Sequence, residues 1–187
     1  MIDELRHYRF TPDAWDQYWA LFTDLCLPIR GNAFGQLRGL WYERVGDSVS
    51  FRHLWRYASL EARAHLRAEL IKVDDWREGF LPQAGPHVSE QFLQVLVPKL
   101  EEGEGGLEGV RYLHRYRCPT GKAGAVIQQI AAVEEPARSQ LRGLWATEFA
   151  DPNQVLAMTS TDAAPLLTLS TAVTIETRRL QPLDFRI

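Results

Sequence analysis

At 187 residues, with 45% apolar and 24% charged residues, the chain is long enough for one large core or two small ones. A net charge of −3 supplies no basic field, which argues against nucleic acid, and no run approaches the roughly 18 apolar residues of a membrane span. The opening Met1–Leu5 has no basic region or signal-length apolar stretch, and Cys26 and Cys118 lack metal or redox spacing, so the expectation is a cytoplasmic protein with reduced thiols.

Alternation predicts a strand over Ile2–Phe10. Thr11-Pro12-Asp13 then reads as a helix start, with Thr11 as cap, Pro12 at the first position and Asp13 against the dipole. Trp15, Tyr18, Trp19, Phe22, Leu25 and Cys26 follow at helical spacing. Leu37–Arg44 and Ser50–Tyr57 predict a hairpin around Val45-Gly46-Asp47-Ser48. Ser59 caps a second helix to about Lys72. Asp74–Phe80 predicts a further helical turn or two, broken by Pro82, Gly85 and Pro86, before a last strand over Gln91–Val97.

Lys99–Gly106 has the composition of a flexible acidic linker. Beyond it the order recurs: strand Gly109–Cys118, helix Lys122–Ala132, strand Gln140–Phe149, turn Asp151-Pro152-Asn153, and strand Gln154–Thr161. Asp162 caps a short helix containing Pro165, and Thr171–Leu180 is the final strand.

The recurrence is written in residues as well. Leu-Arg-Gly-Leu-Trp occurs at Leu37–Trp41 and again at Leu141–Trp145, and Leu5–Arg9 matches Leu113–Arg117 at three of five positions. Leu5 and Leu113 are 108 positions apart, Leu37 and Leu141 104, so the second copy is four residues shorter between the two matches. These observations predict two copies of one strand-helix-strand-strand-helix-strand unit, over residues 1–100 and 107–187, joined by a linker over 101–106. The expected fold is therefore α+β: tandem ferredoxin-like βαββαβ repeats whose antiparallel sheets pack face to face as a pseudo-dimeric α/β barrel.

Glu4-Leu5-Arg6-His7-Tyr8, Thr11-Pro12, Leu37–Trp41, the stretch His53-Leu54-Trp55-Arg56-Tyr57-Ala58-Ser59-Leu60, and Trp76 with Phe80 together give the chain a resemblance to the NIPSNAP family. It covers most of residues 1–100, and over 107–187 it rests on Leu-Arg-Gly-Leu-Trp and element order. The resemblance implies the dimeric α/β-barrel superfamily. Relatives there include cofactor-free monooxygenases, isomerase-like enzymes, haem-handling proteins and proteins without known chemistry, so fold is implied far more strongly than activity.

Strand alternation gathers the candidate chemistry. Glu4, Arg6 and Tyr8 share one face of the first strand, and Phe51, His53, Trp55 and Tyr57 one face of the third. Together they read as a pocket lining inside the barrel, with Trp41 added from the neighbouring strand. In that reading Arg6 anchors an anion, Tyr8 and Tyr57 donate to a carbonyl oxygen, and His53 is the general base. Trp41 and Trp55 form the apolar wall, and Glu4 orients Arg6. The bland reading is that Glu4 and Arg6 pair as buried structural charges and His53 is a satisfied core histidine.

In the second copy Arg6 corresponds to His114, Tyr8 to Tyr116, and His53, Trp55 and Tyr57 to Ala157, Thr159 and Thr161. His114 and Tyr116 complete the ligand-binding candidates. The small residues mean either room for a ligand held by the first copy, or a second copy that serves as a lid. No metal-ligand spacing, phosphate loop, dinucleotide fingerprint or G-x-S-x-G is present, so no cofactor is expected; the superfamily leaves His53 or His114 as the natural choices for a haem ligand. Three functions stand open: binding of a small aromatic or carboxylate ligand in the interior, a non-catalytic interaction or assembly module, and a cofactor-independent monooxygenase or isomerase-like enzyme. A homo-oligomer is among the expected states.

Overall fold

The computed structural model describes residues 1–100, 106–163 and 172–184. They form two compact units, one of Met1–Leu93 with the chain end from Leu183, the other of Gln94–Pro182.

In the first unit, strand β1 (Ile2–Phe10) leads into a long helical run, α1. This run is α-helical over Pro12–Leu21, π-helical over Phe22–Cys26 and α-helical again over Leu27–Arg30. Thr11 occupies the cap position with extended backbone, but its hydroxyl makes no capping bond. Strands β2 (Gln36–Val45) and β3 (Ser48–Tyr57) form the expected hairpin. Helix α2 (Leu60–Leu70) follows, and the Ser59 hydroxyl accepts from the Ala62 amide at 3.0 Å, as expected of a cap.

The next segment departs from the sequence reading. A second run, α3, is π-helical over Asp75–Phe80, α-helical over Leu81–Ala84 and 3-10 over Gly85–His87. Pro82 does not break it. Each π stretch is followed by Leu-Pro, Leu27-Pro28 in one case and Leu81-Pro82 in the other. A proline lacks the amide that a regular helix would use, and its ring clashes with the carbonyl four residues back. The widened π turn displaces those carbonyls, so the helix continues through a residue that would otherwise end it.

Strand β4 (Glu90–Pro98) begins beside β1, where the Ser89 amide donates to the Arg9 carbonyl at 2.9 Å. The first unit's strand order is β4-β1-β3-β2, the ferredoxin-like arrangement, with β1, β2 and β3 antiparallel. From Gln94 onward β4 is counted with the second unit, where Val95 faces Phe149.

The second unit repeats this topology with strands β5 (Tyr112–Arg117), β6 (Leu141–Phe149), β7 (Gln154–Thr159) and β8 (Thr174–Arg179) in the order β8-β5-β7-β6. Helix α4 (Ala123–Ala131) places Val126 and Ile130 on Tyr116, Leu144 and Val155. A short helix, α5 (Ala137–Gln140), precedes β6 and has no counterpart in the sequence reading. Residues 101–105 of the expected 101–106 linker, and most of the expected helix after Asp162, lie outside the described residues.

Both pentapeptides do the same structural work. In each, the ladder slips by one residue, between Leu37 and Gly39 and between Leu141 and Gly143. In each, the tryptophan two residues on lies back over the glycine. A Cβ on Gly39 would sit 2.3 Å from the Trp41 ring, and one on Gly143 would sit 2.0 Å from that of Trp145. Glycine is required there because the indole fills the space of a side chain.

Candidate functional site

Cross-strand register brings most of the candidate residues of the first unit together. Arg6 faces His53, Tyr8 faces Phe51, and Glu4 faces Trp55. Cross-strand partners share a sheet face, so these residues form one surface. That surface meets the helices of its own unit. Phe22 lies 5.1 Å from Phe51 and 5.4 Å from His53, ring centre to ring centre, and Tyr8 lies 6.1 Å from Tyr18. The sequence reading gave this face to the barrel interior, but the aromatic stripe of α1 claims it.

Trp41 is separated from the group. After the bulge it faces Arg52 in the ladder while Leu40 faces His53, so Trp41 is on the other side of the sheet. The hairpin turn sets this register: Val45 pairs with Ser48, and counting back from that turn puts Trp41 opposite Arg52.

Between this face and the helices lies a cavity of about 710 Å3. Its floor carries Arg6, Tyr8, His53 and Arg30, and its apolar wall includes Tyr18, Phe22, Trp76 and Phe80. Both π stretches contribute to the lining, through Phe22 and Cys26 and through Trp76 and Phe80. Its rim carries the exposed Arg67, Glu90 and Gln91. Glu4, Trp55 and Tyr57 stand behind this lining and support it. Arg30 lies with its guanidinium 3.4 Å from the centre of the Trp55 ring, and donates to the Tyr57 hydroxyl at 3.0 Å and the Phe34 carbonyl at 2.8 Å.

The floor is a set of hydrogen-bond donors. Arg6 donates through Nε to Glu4 and through Nη1 to the Tyr8 hydroxyl at 2.8 Å, and its buried Nη2 has no partner. Burial opposes the Arg6 charge, yet Tyr8 and Glu4 outweigh it and raise its pKa further. Burial likewise pushes the Glu4 carboxyl up, but Arg6 and Arg63, which both donate to it, hold it below the usual range. Gln91 Nε2 also donates to the Tyr8 oxygen at 2.8 Å.

His53 is the most constrained group. Its Nδ1 accepts from the Trp55 indole N–H at 2.7 Å. Indole nitrogen only donates, so a neutral His53 carries its proton on Nε2. Burial first, then the charges of Arg6 and Arg30, holds its pKa well below the ordinary histidine value. Nε2 is buried and unpartnered. The general base of the sequence reading is thus a neutral donor, with its second nitrogen occupied.

His114 and Tyr116 belong to the second unit. His114 bonds Thr159 through Nε2 at 2.7 Å and Thr177 through Nδ1 at 2.9 Å. Tyr116 lies in the apolar cluster under α4. Arg30 was missed by sequence reasoning. Its signal was the α1 stripe continued four residues past Cys26, hidden by Pro28. Among the described residues no group of three or more His, Cys, Asp or Glu is placed to hold a metal ion, and no helix is long and apolar enough to cross a membrane. Cys26 and Cys118 are buried free thiols; burial pushes the Cys26 thiol up to about 12.

The fold class is the tandem ferredoxin-like, dimeric α/β-barrel class. Across 97% of its length the chain is similar to a putative monooxygenase from Lactobacillus acidophilus, covering 93% of that chain with a TM-score of 0.59 at 12% identity. This is a likeness of fold alone. Within that class the chain belongs to the NIPSNAP family, whose model matches residues 3–100. It is 27% identical over 159 residues to protein NipSnap homolog 3B of Mus musculus, across 81% of this chain. It spans 64% of that relative's length. A NIPSNAP domain protein of known structure from Burkholderia xenovorans is 29% identical and wholly covered by 56% of this chain, with a TM-score of 0.48.

Proposed function

We propose that the protein binds a small organic ligand in the first unit, between the β1–β3 face and helices α1 and α3. The observation that carries this reading is the cavity of about 710 Å3, with aromatic walls and a few convergent buried polar groups. Arg6 and His53 are buried, yet both line this space and each keeps one polar nitrogen without a partner. The neutral His53, with Nδ1 committed to Trp55, supports binding over base catalysis. Trp41, His114 and Tyr116 are not among the residues lining this cavity; Arg6, Tyr8 and His53 are, with Glu4, Trp55 and Tyr57 holding them in place.

The test is thermal denaturation of the whole chain with a panel of small aromatic and carboxylate compounds. A ligand present at about 100 times its Kd stabilises by roughly 2.7 kcal/mol, a rise of several degrees in Tm. That rise should be lost in Arg6→Ala and His53→Ala. If no compound stabilises the parent and both variants are merely less stable, the cluster is structural, and the assembly-module reading takes its place.

A further inference from the structure

Building on that ligand-binding reading, we infer that the cavity selects organic monoanions, seating the charged oxygen against Arg6 Nη2 and His53 Nε2 with the apolar body along Trp76 and Phe80.

Charge on the floor is unbalanced. Arg6 and Arg30 are both buried there, and Arg63 approaches from α2. Glu4 is shared by Arg6 and Arg63. Arg30 has no carboxylate among the described residues; its partners are a carbonyl, a phenol and an indole face. Glu90 at the rim is engaged by Arg9 at 2.7 Å. A buried guanidinium facing only neutral groups is costly, and an incoming anion relieves that cost.

Hydrogen bonding is unbalanced in the same sense. Arg6 Nη2 and His53 Nε2 are buried donors without acceptors, on side chains that face one another across the β1–β3 ladder. Both residues line the cavity. Acceptors nearby are used: His53 Nδ1 by Trp55, and the Tyr8 oxygen by both Arg6 and Gln91. A cation would find no acceptor on this floor. A neutral amide would bring its own donors against donors. A carboxylate or enolate oxygen accepts from both nitrogens.

Three probes that share one ring system and differ in the charge of the head test this directly: 2-naphthoate, 2-naphthamide and 2-naphthylmethylammonium. Binding to the whole chain is read by tryptophan fluorescence and calorimetry in about 0.15 M salt. The naphthoate should bind at least about tenfold more tightly than the amide, and the ammonium most weakly. Arg6→Gln should bring naphthoate down to the amide while leaving the amide within about threefold. The ranking in the unaltered protein needs no variant, so a poorly folding Arg6→Gln does not obscure it. If amide and naphthoate bind alike, anion selection is wrong and the ligand-binding reading survives. If none of the three binds, the ligand-binding reading falls and this inference falls with it.

Discussion

His53 is defined by what surrounds it. The Trp55 indole N–H fixes Nδ1 as an acceptor at 2.7 Å, and burial with two guanidinium groups keeps the ring neutral. Long-range 1H–15N spectra near neutral pH should therefore show His53 as the neutral Nε2–H tautomer. Trp55→Phe removes the donor, at a cost of about 1 kcal/mol for one neutral hydrogen bond, and should release the ring into a mixture of tautomers. An imidazolium signal, or the Nδ1–H tautomer, in the parent protein would overturn this description. Strand alternation was enough to place Arg6, Tyr8 and His53 on one surface. It could not say which surface meets the helices, since both sides of β3 are buried, with Arg52 and Leu54 as enclosed as His53 and Trp55. The general-base role rested on the ordinary histidine pKa, and only the three-dimensional neighbours of His53 displace it.

The repeated pentapeptide is a bulge with an indole folded over a glycine, built twice. Gly39→Ala and Gly143→Ala should each cost roughly 1–3 kcal/mol, the usual penalty of overpacking, read as a lower denaturant midpoint. Pairing each with Trp41→Phe or Trp145→Phe shortens the ring and should make the two changes less than additive. Strict additivity would mean that the close approach is not the source of the cost. The repeat itself was plain in the residues; the bulge was not, because a slip of one residue leaves composition untouched. The Val45–Ser48 turn, and not the bulge, sets Trp41 opposite Arg52, on the side of the sheet away from His53. The π stretches were equally hidden. Leu-Pro after an aromatic stripe reads as an ending, and here α1 runs on to deliver Arg30, while α3 runs on to add Ala84 to the cavity wall.

Across the whole chain, acid should be destabilising in two stages. His53 and His114 both have pKa values depressed first of all by burial. Below about pH 6.5 the unfolded chain takes up protons that the folded one refuses, so stability falls with pH by up to about 1.4 kcal/mol per unit for each histidine. Glu4, although burial opposes it, is depressed by Arg6 and Arg63, so its contribution is present above the ordinary carboxylate value of 4.5 and is lost as pH drops through its lower folded value. Urea titrations from pH 7.5 to 4 should show the first loss, and His53→Gln should flatten it. A parent slope that is already flat across that range would refute the account. The order of strands in both units was readable from periodicity and repetition, and the β4-β1-β3-β2 and β8-β5-β7-β6 orders match that reading. What repetition also hid was how far the copies had drifted. Where the first copy has Arg6 opposite His53, the second has His114 opposite Ala157, and an apolar cluster lies beneath α4. A protein assembled from two identical subunits cannot do this, because every mutation in its gene appears in both. Joining the copies in one chain removes that constraint: the first can keep a charged, costly floor while the second is free to trade its polar groups for stability, and each can be engineered without its twin changing in step.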